Sequence, residues 1–361
     1  MEARPVADFT RRQFITRSAG FGALTLGGAS LLAACGDSSS STSKSSGAAA
    51  SKKLGNQSVQ LDWIKNAQFI GSYLAVEKGY YAANGFGTVD LLAGGPDVAV
   101  EPIVTQGKAK WAYTGSEFFA GAVAKGAKLK VIGALFQNNP FGIMSLSSKP
   151  IKSPQDMIGK KIGVQAVNES IWEALLAINK IDPSKVTKIV ADFDPAPLVN
   201  GEADGWFSFI TNEPNVLRAE GKDVTAFSLS DFGFKLYQQI VVCTEDTFNK
   251  EKDLLIAGLR SEIQGWQYNA KNPDEGAKLT VDKYGKDLKL DIKAVTGENN
   301  DQLKLMINTP TTAKKGIFYM DAADIDANVA TLKGLNLGID KSVYSTEILD
   351  AVYKSGIDLL K

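Results

Sequence analysis

The side chains of this sequence that can engage another molecule fall in short loops following apolar runs. Trp63, Asn66 and Phe69 follow the first run, Ser116 and Glu117 the third, and Gln137, Asn138 and Phe141 the fourth. Further along come Gln165, Glu169 and Trp172, then Asp192 beside Phe193, then Trp206, Asn212 and Glu213, with Tyr237 on a return connection. Rings, amides and carboxylates together suit a flat heterocycle: rings stack on its faces, and Asn, Gln and Glu read its edge. Other chemistry is ruled out by what is missing. None of the 361 residues is histidine, so no imidazole base, Ser-His-Asp nucleophile or His-ligated metal can be built. Two cysteines, Cys35 and Cys243, make neither a thiolate cage nor a disulfide framework. No catalytic residue, cofactor or metal is expected.

Several of these side chains have a packing alternative. Trp172 lies beside the core stripe Ile171, Leu175 and Ile178, and its ring serves either a cleft or the sheet beneath. Trp206 and Phe209 fall in or at the end of an apolar strand, where packing is the competing role. Asn212 and Glu213 precede Pro214, and Ser116 opens a helical segment, so helix capping competes with binding for all three.

The elements that must position these loops alternate regularly. Strands at 59–63, 89–92, 110–114 and 130–135 are separated by helical patterns at 69–84, 99–106 and 117–125. After an extended crossover at 142–148, strands at 161–165, 186–190, 203–210 and 224–228 alternate with helices at 170–179, 197–200 and 214–220. A strand at 239–244 fits the first sheet better than the second, and from residue 250 onward the pattern is helical. This is an α/β chain with two parallel-rich sheets, joined by crossover strands, and a helical C-terminal addition on the first. Ligands of such sheets bind outside the carboxyl ends of the strands, where the loops above fall.

The N-terminal segment is organised differently. Arg11-Arg12 stand before a glycine-rich apolar stretch that ends Leu32-Ala33-Ala34-Cys35, too short to span a bilayer comfortably. It resembles a twin-arginine export signal ending in a lipobox, with Cys35 as the acylated residue. The following run of Ser, Ala, Gly and Thr reads as a flexible tether with a reach of roughly 25 Å. The expected division is a signal at 1–34, lipidated Cys35 and linker over 35–56, a first lobe from 57–145 plus 236–361, and a second lobe from 146–235. Forty basic residues balance 40 acidic ones, which argues against nucleic-acid binding.

One longer stretch carries a resemblance. Leu61-Asp62-Trp63-Ile64-Lys65-Asn66-Ala67-Gln68-Phe69 runs on to Glu77-Lys78-Gly79-Tyr80-Tyr81. It is followed in order by Gln106-Gly107-Lys108-Ala109, Lys152-Ser153-Pro154, Gly159-Lys160-Lys161-Ile162-Gly163 and Gly201-Glu202-Ala203-Asp204-Gly205-Trp206. The ordered set resembles periplasmic-binding-protein-like solute receptors of ABC importers, in the nitrate, sulfonate and thiamine-pyrimidine group. The resemblance implies a two-lobe type II binding-protein fold, a monomer on the outer face of the membrane, and a permease partner. Only Arg218 and Arg260 lie beyond Cys35, neither in the strand-end loops, so the bidentate fork that usually holds sulfonate or phosphate is missing. Within the group this favours a pyrimidine of the hydroxymethylpyrimidine type, with riboflavin as an alternative and a sulfonate or nitrate as a weaker one. Yeast-type pyrimidine synthases share the fold but use an active-site histidine and a cysteine-rich motif that this chain lacks.

Overall fold

Two runs of continuous apolar sequence, Leu129–Phe136 and Gln238–Thr244, bury almost every side chain, as central strands covered on both faces must. They are β4 and β10 of the first of two five-stranded sheets in the computed structural model, which describes residues 53–192 and 194–359. The signal segment, Cys35, most of the linker and Phe193 lie outside the described residues.

The first sheet has the order β2-β1-β3-β10-β4, with β1 Gln57–Gln60, β2 Val89–Leu92 and β3 Trp111–Thr114. The second has the order β7-β6-β8-β5-β9, with β5 Phe141–Leu146, β6 Lys161–Gln165, β7 Thr187–Ala191, β8 Gly205–Phe209 and β9 Val224–Ser228. Four strands of each sheet run one way. The fifth, β10 in the first and β5 in the second, is antiparallel to its neighbours and is the strand that arrives from the other sheet. Two sheets joined by two crossovers were expected from the alternation, but the stretch read as an extended crossover at 142–148 is largely β5, a strand of the second sheet.

The helices, in chain order, are α1 Ile70–Glu77, α2 Tyr80–Ala83, α3 Val100–Thr105, α4 Ser116–Ala124, α5 Glu169–Ile178, α6 Ala196–Val199 and α7 Glu213–Ala219. The C-terminal addition contains α8 Glu245–Lys250, α9 Lys252–Lys271, α10 Pro273–Leu279, α11 Ile292–Asp301, α12 Pro310–Lys315, α13 Ala322–Gly334 and α14 Glu347–Lys354. The helix expected over 69–84 is instead two, because Gly79 adopts φ +71° and ends α1 in the left-handed manner that glycine tolerates.

Long α9 lies against α1, and two glycines set their separation. A methyl group on Gly265 would collide with the Gly71 carbonyl, and one on Gly71 would enter the Trp266 ring. Beneath that crossing, buried Glu262 accepts from Ser72 at 2.7 Å and from the Tyr81 hydroxyl. The addition, expected on the first lobe, also reaches the second sheet. Leu332 of α13 joins the core of the second sheet, and α11 bonds to α7 across from it.

Candidate functional site

The carboxyl ends of β1 and β3 open onto the junction between the sheets, and three acidic side chains gather there. Asp62 follows β1, while Glu101 and Glu117 occupy the first turns of α3 and α4, where backbone N–H groups favour negative charge. Two amides at the head of β10 reach them. Gln239 donates from Nε2 to both Asp62 oxygens at 2.9 and 3.0 Å, and Gln238 donates to Glu117 at 2.6 Å. Thr114 donates its hydroxyl to Glu101 at 2.6 Å.

Loss of solvent raises two of these carboxyls. Asp62 moves up to about 6 despite its bond from Gln239, with Glu101 adding repulsion. Glu117 moves up to about 7, again chiefly through burial, with Asp62 and Glu101 adding to it. Gln239 sits at φ +51°, a left-handed backbone seldom taken by residues other than glycine, and its buried Oε1 has no partner. Strained backbone beside a buried unmet acceptor is characteristic of a site rather than of plain packing.

A second wall stands at the end of β8. Glu213 accepts the Phe209 backbone N–H at 2.9 Å and is pushed by burial up to about 7. Asn212 donates to Glu298 of α11 at 2.7 Å. Burial, followed by the nearby Glu213, lifts Glu298 to about 8, and its Oε1 is buried without a partner.

The expected site residues divide on this geometry. Half-buried Trp63 adjoins Asp62 on the wall that holds Glu117, while Asn212 and Glu213 belong to the other. Ser116 is fully buried and donates to the Tyr237 carbonyl at 2.8 Å. Asn66 caps a short 3-10 turn, Ala67–Phe69, by accepting from the Gln68 N–H. Phe69 lies in the first core, edge-on to Tyr113 at 5.9 Å.

Five aromatic positions serve packing in the same way. Phe141 meets Phe209 edge-on at 4.7 Å, Trp172 is buried among Ile171, Leu175 and Leu176, and Trp206 is buried among Met144, Leu198 and Leu217. Tyr237 lies in a third cluster and donates its N–H to Asn328. Most amide groups are used locally. Gln165 donates to the Phe207 carbonyl and accepts from Asn168; Gln137 donates to the Ala134 carbonyl, though its Oε1 is buried without a partner, and Asn138 donates to that of Leu305. Glu169 pairs with Lys188, and Asp192 is exposed.

Sequence reasoning missed Asp62, Glu101, Gln238, Gln239 and Glu298 as members of these walls. A signal for some of them was present. Two adjacent amides opening the apolar run Ile240-Val241-Val242-Cys243 must find buried partners, and Asp62 immediately precedes the singled-out Trp63. Glu298, within a polar helical stretch, carried no such mark. Cys243 is buried, and loss of solvent pushes its thiol up to about 12, which leaves it unreactive. Among the described residues no group of three or more acidic or sulfur side chains is placed to hold a metal, and no helix is long and apolar enough to cross a membrane.

Comparison with known proteins agrees with this architecture. The formylaminopyrimidine-binding protein of Halalkalibacterium halodurans is 27% identical over 62% of this chain and 69% of its own length. The riboflavin-binding protein RibY of Chloroflexus aurantiacus is 26% identical over 62% of this chain and 65% of its own, so the match spans just under two thirds of that relative. The crystal structure of the periplasmic aliphatic sulphonate binding protein SsuA from Escherichia coli superposes with a TM-score of 0.62, at 14% identity, covering 79% of this chain and 89% of that one. That likeness establishes a shared two-lobe binding-protein fold. The family model described as NMT1/THI5 like matches residues 66–276, more than half the sequence, and the chain belongs to that family.

Proposed function

We propose that this protein is the extracytoplasmic solute-binding component of an ABC importer, and that its solute is a planar, amino-bearing heterocycle of the thiamine-pyrimidine kind. The observation that carries the reading is the pair of amide-bonded carboxyls, Asp62–Gln239 and Glu117–Gln238, on a wall without arginine. An aminopyrimidine presents an N–H donor beside a ring-nitrogen acceptor. A carboxyl that titrates near neutrality can accept from the first and donate to the second. Arg218 is drawn to Asp301 at 3.7 Å and Arg260 to Ser355, so neither supplies a fork for an anion. Half-buried Trp63 supplies the stacking face.

Riboflavin is the second reading. It is supported by the flavin-binding relative and by the N–H donor edge of the isoalloxazine ring. A synthase activity has no histidine to use. The remaining parts of the proposal are a monomeric receptor, export by the twin-arginine signal, a lipid anchor at Cys35, and delivery to a membrane permease.

Two measurements test this. Small molecules released from the purified, denatured protein should include an aminopyrimidine or a flavin by mass spectrometry. Thermal melts should rise with 4-amino-5-hydroxymethyl-2-methylpyrimidine or riboflavin and stay unchanged with taurine or nitrate at millimolar concentration. A clear shift with taurine alone would sink the assignment.

A further inference from the structure

The crossovers are not the only ties between the two sheets. Helix α11 is rooted on the side of the first sheet through its Asn299 face. Asn299 and Asn269 of α9 exchange amide hydrogen bonds at 2.7 and 3.0 Å, and Asn299 also donates to the Pro273 carbonyl at 3.0 Å. Just past the helix, buried Gln302 donates at 2.8 Å to the carbonyl of Ala67, in the turn that follows β1. An adjacent face of the same helix grips the second sheet. Glu298 accepts from Asn212 and Asp301 accepts from Asn215, both at 2.7 Å, and Arg218 approaches Asp301 at 3.7 Å. Gly297 completes the fit, since any side chain there would strike the Asn215 amide.

Three contacts to carboxyl groups, one to Glu298 and two to Asp301, join one helix of the first lobe to α7 of the second. Opening the junction by rotation about the crossovers must break them, because α11 cannot leave Asn269 and Ala67 without losing buried hydrogen bonds. We propose that α11 is a clasp: its Glu298–Asp301 edge holds α7, so that these residues bias the closed arrangement whether or not a solute is bound. A solute that binds only when both walls meet would then owe part of its retention to this contact. The inference rests on reading the junction as a solute site, but its test does not require the solute to be known.

Spin labels at exposed Glu220 and Lys286, on the full chain with Cys35 changed to serine, report the separation of the two sides; Cys243 is buried and stays unlabelled. Without any added solute, Asp301→Ala and, separately, Asn212→Ala should lengthen or broaden the distance distribution, shifting the open-to-closed ratio by about tenfold for Asp301, which loses two contacts, and by roughly several-fold for Asn212, which loses one hydrogen bond. Asn300→Ala, on the exposed face of the same helix, should leave it as in the parent. An unchanged distribution in both folded variants, whether or not melting temperature falls, would make α11 a packing element and overturn the proposal. Should the variants open while no heterocycle binds the parent protein, the clasp stands and the assigned function fails.

Discussion

At the scale of single residues, aromatic side chains divide by their exposure. Trp63 is half-buried at the end of β1, whereas Trp172 and Trp206 are enclosed in the second lobe at 3% and 1% exposure. Trp63→Ala should therefore weaken solute binding by at least about tenfold while costing less stability than a core truncation, because it removes a stacking face worth roughly 0.5–1.5 kcal/mol and only part of its ring packs on the first core. Trp172→Ala and Trp206→Ala should each cost about 3–5 kcal/mol of stability, as large core truncations do, and calorimetry distinguishes the two outcomes. The carboxyls make a second prediction. Glu117 and Glu213 are raised to about 7 and Glu298 to about 8, all above an unfolded value near 4.3. The folded chain therefore holds protons that the unfolded chain has released. Their contribution is fully present below about pH 4 and is lost as pH rises through 7 to 8, so stability should fall across that window, by at most about 1.4 kcal/mol per pH unit for each retained proton. Glu298→Gln, which cannot ionise, should flatten the upper part of the curve in denaturant titrations at successive pH values. Which loops stand at the strand ends was readable from the order of apolar runs. Which side chains in them turn inward was not, because Gln165 and Asn66 are claimed by backbone partners that no spacing reveals.

At the scale of elements, the α1–α9 crossing depends on missing side chains. Gly265→Ala should destabilise the protein by about 1–3 kcal/mol, since the added methyl meets the backbone of Gly71 and neither helix can yield without disturbing buried Glu262. Gly121→Ala, in the middle of α4 with nothing near its would-be Cβ, should instead be neutral or stabilising by up to about 1 kcal/mol. Urea midpoints of the pair separate close approach from helix propensity. Sequence periodicity located most strands to within two residues, because buried parallel strands must be short apolar runs between turns. It failed at α1, where a glycine inside an apparently continuous helical pattern divides it in two, and it was silent on α11. The role of that helix comes from a polar edge facing another polar edge, and hydrophobic patterning carries no information about such a pairing.

At the scale of the whole molecule, the proposed anchor at Cys35 is tested separately from the folded body. If lipid on Cys35 is the anchor, Cys35→Ala should release the protein from membranes after a salt wash, and retention would refute it. The division into two sheets was legible because the β-α alternation restarts after the crossover and the strand read at residues 239–244 fits the first sheet better than the second. The exchange of strands has a consequence for synthesis. The second sheet is drawn wholly from residues 141–228, whereas the first has its fourth place filled by β10, made only after that sheet is complete. Until residue 244 has emerged from the ribosome, β3 and β4 flank an empty slot lined by unpaired backbone, so the half of the protein translated first is the half that finishes folding last. A nascent chain stalled at residue 237 would offer that slot to any extended segment nearby, which makes the interval between β4 and β10 the period when this chain is most exposed to mispairing and most in need of a chaperone.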